Sequence, residues 1–125
     1  MIDFKNAEYL KMRKVENDAV GPNVLGMLLP DEKILGVYKT VRDYVLFTDK
    51  RFIAVNIQGI TGKKQDITSM PYRSITTFSV ETSGVIDMDS ELEIYIAAVG
   101  KVRFEFSGRS DIVEIGRMIG QCMFQ

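Results

Sequence analysis

From Lys33 to Ser107 the sequence runs in short segments rich in Ile, Val, Phe, Tyr and Thr whose apolar residues recur every second position, and turn residues separate them. That period puts successive side chains on opposite faces of a strand, so the middle of the chain must build a sheet. Seven strands are predicted, at 33–41, 43–48, 51–58, 63–70, 74–81, 91–99 and 101–107. Their links are short, among them Arg42-Asp43, Asp49-Lys50 and Gly59 to Gly62, and short links require antiparallel neighbours.

The last two segments alternate most cleanly. Leu92, Ile94, Ile96 and Ala98 face inward, as do Val102, Phe104 and Phe106, with charged residues between them. If both inward sets share one face, paired residue numbers must sum to an even value. A sum of 200 places Tyr95 opposite Glu105 and Ala97 opposite Arg103 across a Val99-Gly100-Lys101 loop, and avoids a Glu93/Glu105 pair.

Helical periodicity brackets the sheet. Tyr9, Met12, Val15 and Ala19 follow steps of three and four and predict a helix, which Gly21-Pro22 breaks; a further apolar turn or two follows before Pro30-Asp31. After Gly108, Ser110 is the expected N-cap, and Ile112, Ile115, Ile119, Cys122 and Met123 form one stripe. At 125 residues the chain has room for one domain: a helical arm over 1–30, a β-barrel over 31–109 and a capping helix over 110–125. The expected fold is mainly β with α, a bent sheet or incomplete barrel of seven antiparallel strands with the C-terminal helix plugging one end.

Seven strands and one capping helix is the pleckstrin-homology (PH)-like order, and particular residues carry the likeness further. The run from Val41 through Arg42, Asp43, Tyr44, Val45, Leu46, Phe47, Thr48, Asp49, Lys50, Arg51 and Phe52 to Ile53 resembles the stand-alone bacterial PH-like proteins. So do Gln58 to Lys64, Pro71 to Ile75, Phe78 to Thr82 and Asp87 to Leu92, which together cover most of residues 30 to 115. The resemblance implies a PH-like barrel in a bacterial cytoplasmic protein, without known catalytic residues, in a family whose members tend to assemble into rings. Where eukaryotic PH domains hold phosphoinositides with a basic cluster, this chain offers only Lys39 and Arg42, with Asp43 beside them.

Composition removes much chemistry. There is no histidine and one cysteine, which excludes His-based triads, His-ligated zinc, an intramolecular disulfide and multi-Cys metal sites. Gly59-Ile60-Thr61-Gly62-Lys63-Lys64 has two residues between its glycines where a phosphate loop needs four, and reads as a hairpin turn with glycines at positive φ. Asp87, Asp89 and Glu91 begin a calcium-loop spacing, but Leu92 stands at the sixth position where Gly is required and Ala98 at the twelfth where Glu belongs. Cys122 reads as an unreactive thiol on an apolar stripe. No enzyme activity, cofactor, metal or nucleic-acid partner is expected. Charges scattered through the first eighteen residues leave no core for a signal peptide, so a cytoplasmic location is expected.

Sixteen basic and seventeen acidic residues nearly cancel, yet they are unevenly placed. Residues 39 to 64 carry a net +4, including Lys50, Arg51, Lys63 and Lys64; residues 81 to 93 carry −5, including Glu81, Asp87 and Asp89. The 43–48 and 51–58 strands are apolar on both faces through Tyr44, Leu46, Phe47, Ile53 and Val55, which suggests a face covered by a neighbouring subunit. The expected function is a non-catalytic interaction module that forms a homo-oligomer, a ring if the contact closes, and docks a protein partner. The alternative is a lipid or membrane-surface adaptor using the basic turns.

Overall fold

The structure, a computed structural model, describes residues 1–2, 8–97, 100–108 and 110–124. The period-two segments fold as strands: β2 (Ile34–Lys39), β3 (Tyr44–Thr48), β4 (Arg51–Gln58), β5 (Lys64–Pro71), β6 (Ile75–Glu81), β7 (Ser90–Ile96) and β8 (Gly100–Phe106). Ahead of them stand β1 (Glu8–Val15) and a short helix, α1 (Pro22–Met27); a 3-10 turn, Tyr72–Ser74, joins β5 to β6, and α2 (Ile112–Met123) follows β8. The sheet is open, in the order β5-β4-β3-β2-β1-β8-β7-β6, so an eight-stranded sheet replaces the expected seven-stranded barrel.

The extra strand corrects the expected helix. Tyr9 and Met12 are both buried although three residues apart, because the register slips between them: Tyr9 pairs with Phe104 and Met12 with Phe106. Three steps on β1 therefore match two on β8, a β-bulge, and Lys11 within it adopts φ 55°. A bulge returns residues i and i+3 to one face, which in the sequence looks like one face of a helix. β1 runs parallel to β8 over its first half and antiparallel to β2 through Arg13–Lys39, Lys14–Tyr38 and Val15–Val37, so it joins the two halves of the sheet.

The β7–β8 register is also corrected. Tyr95 pairs with Lys101, Glu93 with Arg103 and Glu91 with Glu105, a sum of 196. The parity holds, and Leu92, Ile94, Val102, Phe104 and Phe106 share the buried face. Gly100, at φ 136°, opens β8 opposite Ile96 rather than sitting mid-loop. The like-charged Glu91/Glu105 pair is tolerated because Arg103 reaches both, bonding Glu91 and lying 3.6 Å from Glu105. Ala98 and Val99, placed above in a strand and a loop, lie outside the described residues.

Two apolar layers result. The inner one joins Phe47, Phe52, Phe104 and Phe106 with Ile112, Ile115 and Ile119 of α2. Phe52 packs edge-on against Phe104 (ring centroids 4.9 Å apart) and stacks on Phe47 (4.7 Å), which ties the β3–β4 hairpin to β8 across the core. The N-cap of α2 is Asp111, not Ser110: its carboxylate accepts the backbone N–H of Glu114 at 3.1 Å. The outer layer consists of Val37, Tyr44, Leu46, Ile53 and Val55 under Val20 and Val24. No helix among the described residues is long and apolar enough to cross a membrane.

Candidate functional site

The outer layer decides the fate of five expected interface residues. Tyr44, Leu46, Ile53 and Val55 point to the face that α1 covers, and Phe47 points into the core; all are buried within the chain. The second apolar face of β3 and β4 is thus filled by residues 20 to 28 of the same molecule, Gly21 N–H donating to the Tyr44 hydroxyl at 3.2 Å. Apolar residues on both faces therefore supply no argument for a subunit contact.

The basic residues separate into two groups. β4 is eight residues long, so its ends lie about 23 Å apart. Lys50 and Arg51 stand at one end. Lys63 and Lys64 stand at the other, beside the β2–β3 turn, exposed at the mouth of a hairpin whose Gly59 and Gly62 take φ 79° and 69° as expected. Arg42 at this end donates to the carbonyls of Ile57 and Gly59 (2.7 and 3.0 Å), and Asp43 accepts from Asn56 and the Ile57 N–H, so both side chains tie the two turns together. Val41 and Ile60 crown the two turns with their side chains in solvent.

At the Lys50 end lies an open cleft of about 560 Å³ between the β3–β4 turn, the 3-10 turn and the end of α2. Met27, Leu29 and Pro71 give it apolar walls, the charges of Lys50 and Arg73 are offset by Asp49 and by Asp31, 3.5 Å from Lys50, and Arg51, Tyr72 and Cys122 complete it. Arg51, expected as a docking cation, is a structural residue here. It donates to both oxygens of Glu32 (2.9 and 2.8 Å), to the Met27 carbonyl and to the Ser69 hydroxyl. Glu32 is missing from any reading of the sequence as a site. Burial works to raise its pKa, but bonds from Arg51, the Thr48 hydroxyl (2.6 Å) and the Leu29 N–H outweigh burial and hold the carboxyl down to about 2. The Thr48 carbonyl accepts from the Tyr72 hydroxyl at 2.7 Å, which extends the network to the wall of the cleft. Burial pushes the Cys122 thiol upward, away from the thiolate that reactive cysteines need.

The acidic stretch divides as well. Asp89 pairs with Lys11, and Glu91 with Arg103, so these carboxylates are matched inside the chain. Glu81 and Asp87 are exposed on either side of Val85 and Ile86, which are 96% and 97% exposed at the tip of the β6–β7 loop. Of the twelve expected interface residues, the surface keeps Lys50, Lys63, Lys64, Glu81 and Asp87, spread over three places. The sequence shows charges; it carries no mark of which charge has an internal partner.

A family model described as Bacterial PH domain matches residues 3–123. Among similar chains, YjqA of Bacillus subtilis (strain 168), an uncharacterized protein, is 45% identical over 108 residues, which cover 84% of this chain and 86% of that one. The crystal structure of a DUF1696 family protein with a pleckstrin-homology domain from Shewanella loihica PV-4 superposes with a TM-score of 0.79 at 33% identity, covering 91% of this chain and 98% of that one. A pleckstrin homology domain from Shewanella amazonensis SB2B gives 0.62 at 37% identity, over 81% and 82% of the two chains.

Proposed function

The chain belongs to the bacterial PH domain family, and from that premise we propose that it is a non-catalytic interaction module which self-assembles and offers the assembled surface to a protein partner. The observation that carries this reading is the exposed β6–β7 loop, where Val85 and Ile86 stand in solvent between Glu81 and Asp87. The cleft walled by Met27, Leu29 and Pro71 lies at a different place on the same molecule. Two apolar patches on different parts of a chain favour a head-to-tail contact, which closes into a ring when its rotation divides the circle. Sedimentation equilibrium at micromolar concentration tests it. A mass that is a multiple of 14.2 kDa is expected, and a monomer across that range would remove the assembly.

A second reading rests on Val41 and Ile60, two solvent-exposed apolar tips beside Lys63 and Lys64, an arrangement suited to an anionic lipid surface. It is the weaker one. Each Lys or Arg near such a surface contributes about 1 kcal/mol, and with Arg42 held by carbonyls and Lys50 at the far end, two lysines at the tip supply about 2 kcal/mol. Vesicles containing phosphatidylserine should pellet little of the protein at physiological salt. Firm pelleting that is lost in Lys63→Glu/Lys64→Glu would reverse the order of the two readings.

A further inference from the structure

We propose that residues 19–29 form a strap that lifts from the sheet as a unit while the rest of the fold stays intact, and that the Glu32–Arg51 ion pair is its latch. α1 has little to hold it as a helix by itself: it is six residues long, with Gly26 inside, no side-chain cap at Gly21, no acid in its first turn and no base in its last. Docking must stabilise it, and few side chains dock. Val20 and Val24 are buried and Leu28 is half-buried, whereas Leu25, Met27 and Leu29 are exposed. The strap adds no strand to the sheet, and β2 to β5 pair with one another through their own backbones whether or not it covers them. On lifting, its backbone regains conformational freedom, which offsets the cost of wetting Val37, Leu46, Ile53 and Val55 beneath it. The open state uncovers the outer face of β3 and β4 while the inner core stays sealed under α2.

The two ends of the strap are held unequally. At its start the Gly21 N–H donates to the Tyr44 hydroxyl at 3.2 Å and the Asn23 amide to the Gln65 carbonyl at 3.4 Å, both neutral bonds and the second one exposed. At its end one ion pair grips the chain twice: the Arg51 guanidinium donates to the Met27 carbonyl at 2.8 Å, and the Glu32 carboxylate accepts the Leu29 N–H at 3.1 Å. Hydrogen bonds to ionised groups are roughly twice as strong as neutral ones, so this end closes the strap. The latch is also fixed from beneath. Arg51 bonds the Ser69 hydroxyl and Glu32 accepts from the Thr48 hydroxyl, contacts with β5 and β3 that lifting leaves in place, so the strap closes again on partners already in position.

Thiol labelling separates the opening of the strap from that of the whole molecule. In full-length chains carrying Cys122→Ser, Val24→Cys places the only thiol under the strap and Val102→Cys places it in the inner core; both valines are fully buried. With excess DTNB, Val24→Cys should react at least about tenfold faster than Val102→Cys, because the first needs only the strap to lift. Adding Ile119→Ala, which weakens the core under α2, should speed Val102→Cys at least about tenfold and leave Val24→Cys unchanged. Adding Glu32→Gln should speed Val24→Cys at least about tenfold, since bonds to a charged carboxylate are lost from the closed state. Equal acceleration of both thiols by Ile119→Ala would mean that the strap opens only when the whole chain unfolds, and would overturn the proposal; a Val24→Cys rate indifferent to Glu32→Gln would remove the latch. Should a thiol variant fail to fold, amide exchange at Leu25, whose N–H donates to the Gly21 carbonyl, and at Val102 reads the same two openings in the native chain and in Ile119→Ala, with the same outcomes deciding.

Discussion

Glu32 draws its hydrogen bonds from three stretches of chain: the Leu29 N–H, the Thr48 hydroxyl at the end of β3, and the Arg51 guanidinium at the start of β4. Its carboxyl, at about 2 when folded against an ordinary 4.5, is depressed, so the stability it contributes is complete above pH 4.5 and is lost as the pH falls towards 2. Glu32→Gln leaves Arg51 without its countercharge and should cost about 2 to 3 kcal/mol at pH 7. The variant should also lose this part of the acid limb; urea melts from pH 2.5 to 7 that show the same slope in both proteins would refute the assignment. Arg51 was legible in the sequence as a cation and illegible as a pinned one, because its partner is nineteen residues away in a loop with no periodicity to place it. For the opposite reason Lys50 and Asp87 read correctly as surface charges: turns and loops expose their side chains.

At the level of elements, strands such as β7 and β8, and the helix α2, bury one face and the burial writes its period into the chain, while β3 and β4, buried on both faces, stand out as unbroken apolar runs between turns. Periodicity misled at β1, where the bulge at Lys11 imposes a three-residue step on a strand. Left-handed backbone is costly for β-branched residues and free for glycine. Lys11→Val should therefore lower the urea midpoint and Lys11→Gly should not, despite losing the exposed pair with Asp89; equal midpoints for the two would argue against the bulge. The α2 stripe makes a larger prediction. Ile119 is buried against the core, and Ile119→Ala should cost about 2 to 5 kcal/mol, so a loss below about 0.5 kcal/mol would deny α2 its capping role. The neighbouring subunit expected over one face of β3 and β4 is not needed to cover it. A strand apolar on both faces states that both are covered, and the six-residue α1, expected as an apolar turn or two but with nothing in the sequence to say where it packs, is what covers the second.

For the whole molecule, the near-zero net charge hides an uneven surface, with Glu81 and Asp87 exposed on the β6–β7 loop and Lys63 and Lys64 exposed at the β4–β5 turn. The apolar tip should set the affinity of assembly and the charges its rate and register. Raising salt from 0.05 to 0.5 M, which shortens the screening length from roughly 14 to 4 Å, should slow reassembly after dilution without changing the final mass. A mass that falls to 14.2 kDa in high salt would reverse these roles. The strand that holds the two halves of the sheet together has a consequence during synthesis. β1 leaves the ribosome ahead of the rest of the sheet, yet half of its pairing is with β8, some ninety-five residues later. At about 5 to 20 residues per second that partner arrives roughly 5 to 20 seconds afterwards. Over that interval the β2 to β5 meander can close on local contacts alone, while Tyr9 and Met12 wait without their cover. Within this domain the nascent chain is most open to chaperones, and to other nascent chains, at β1.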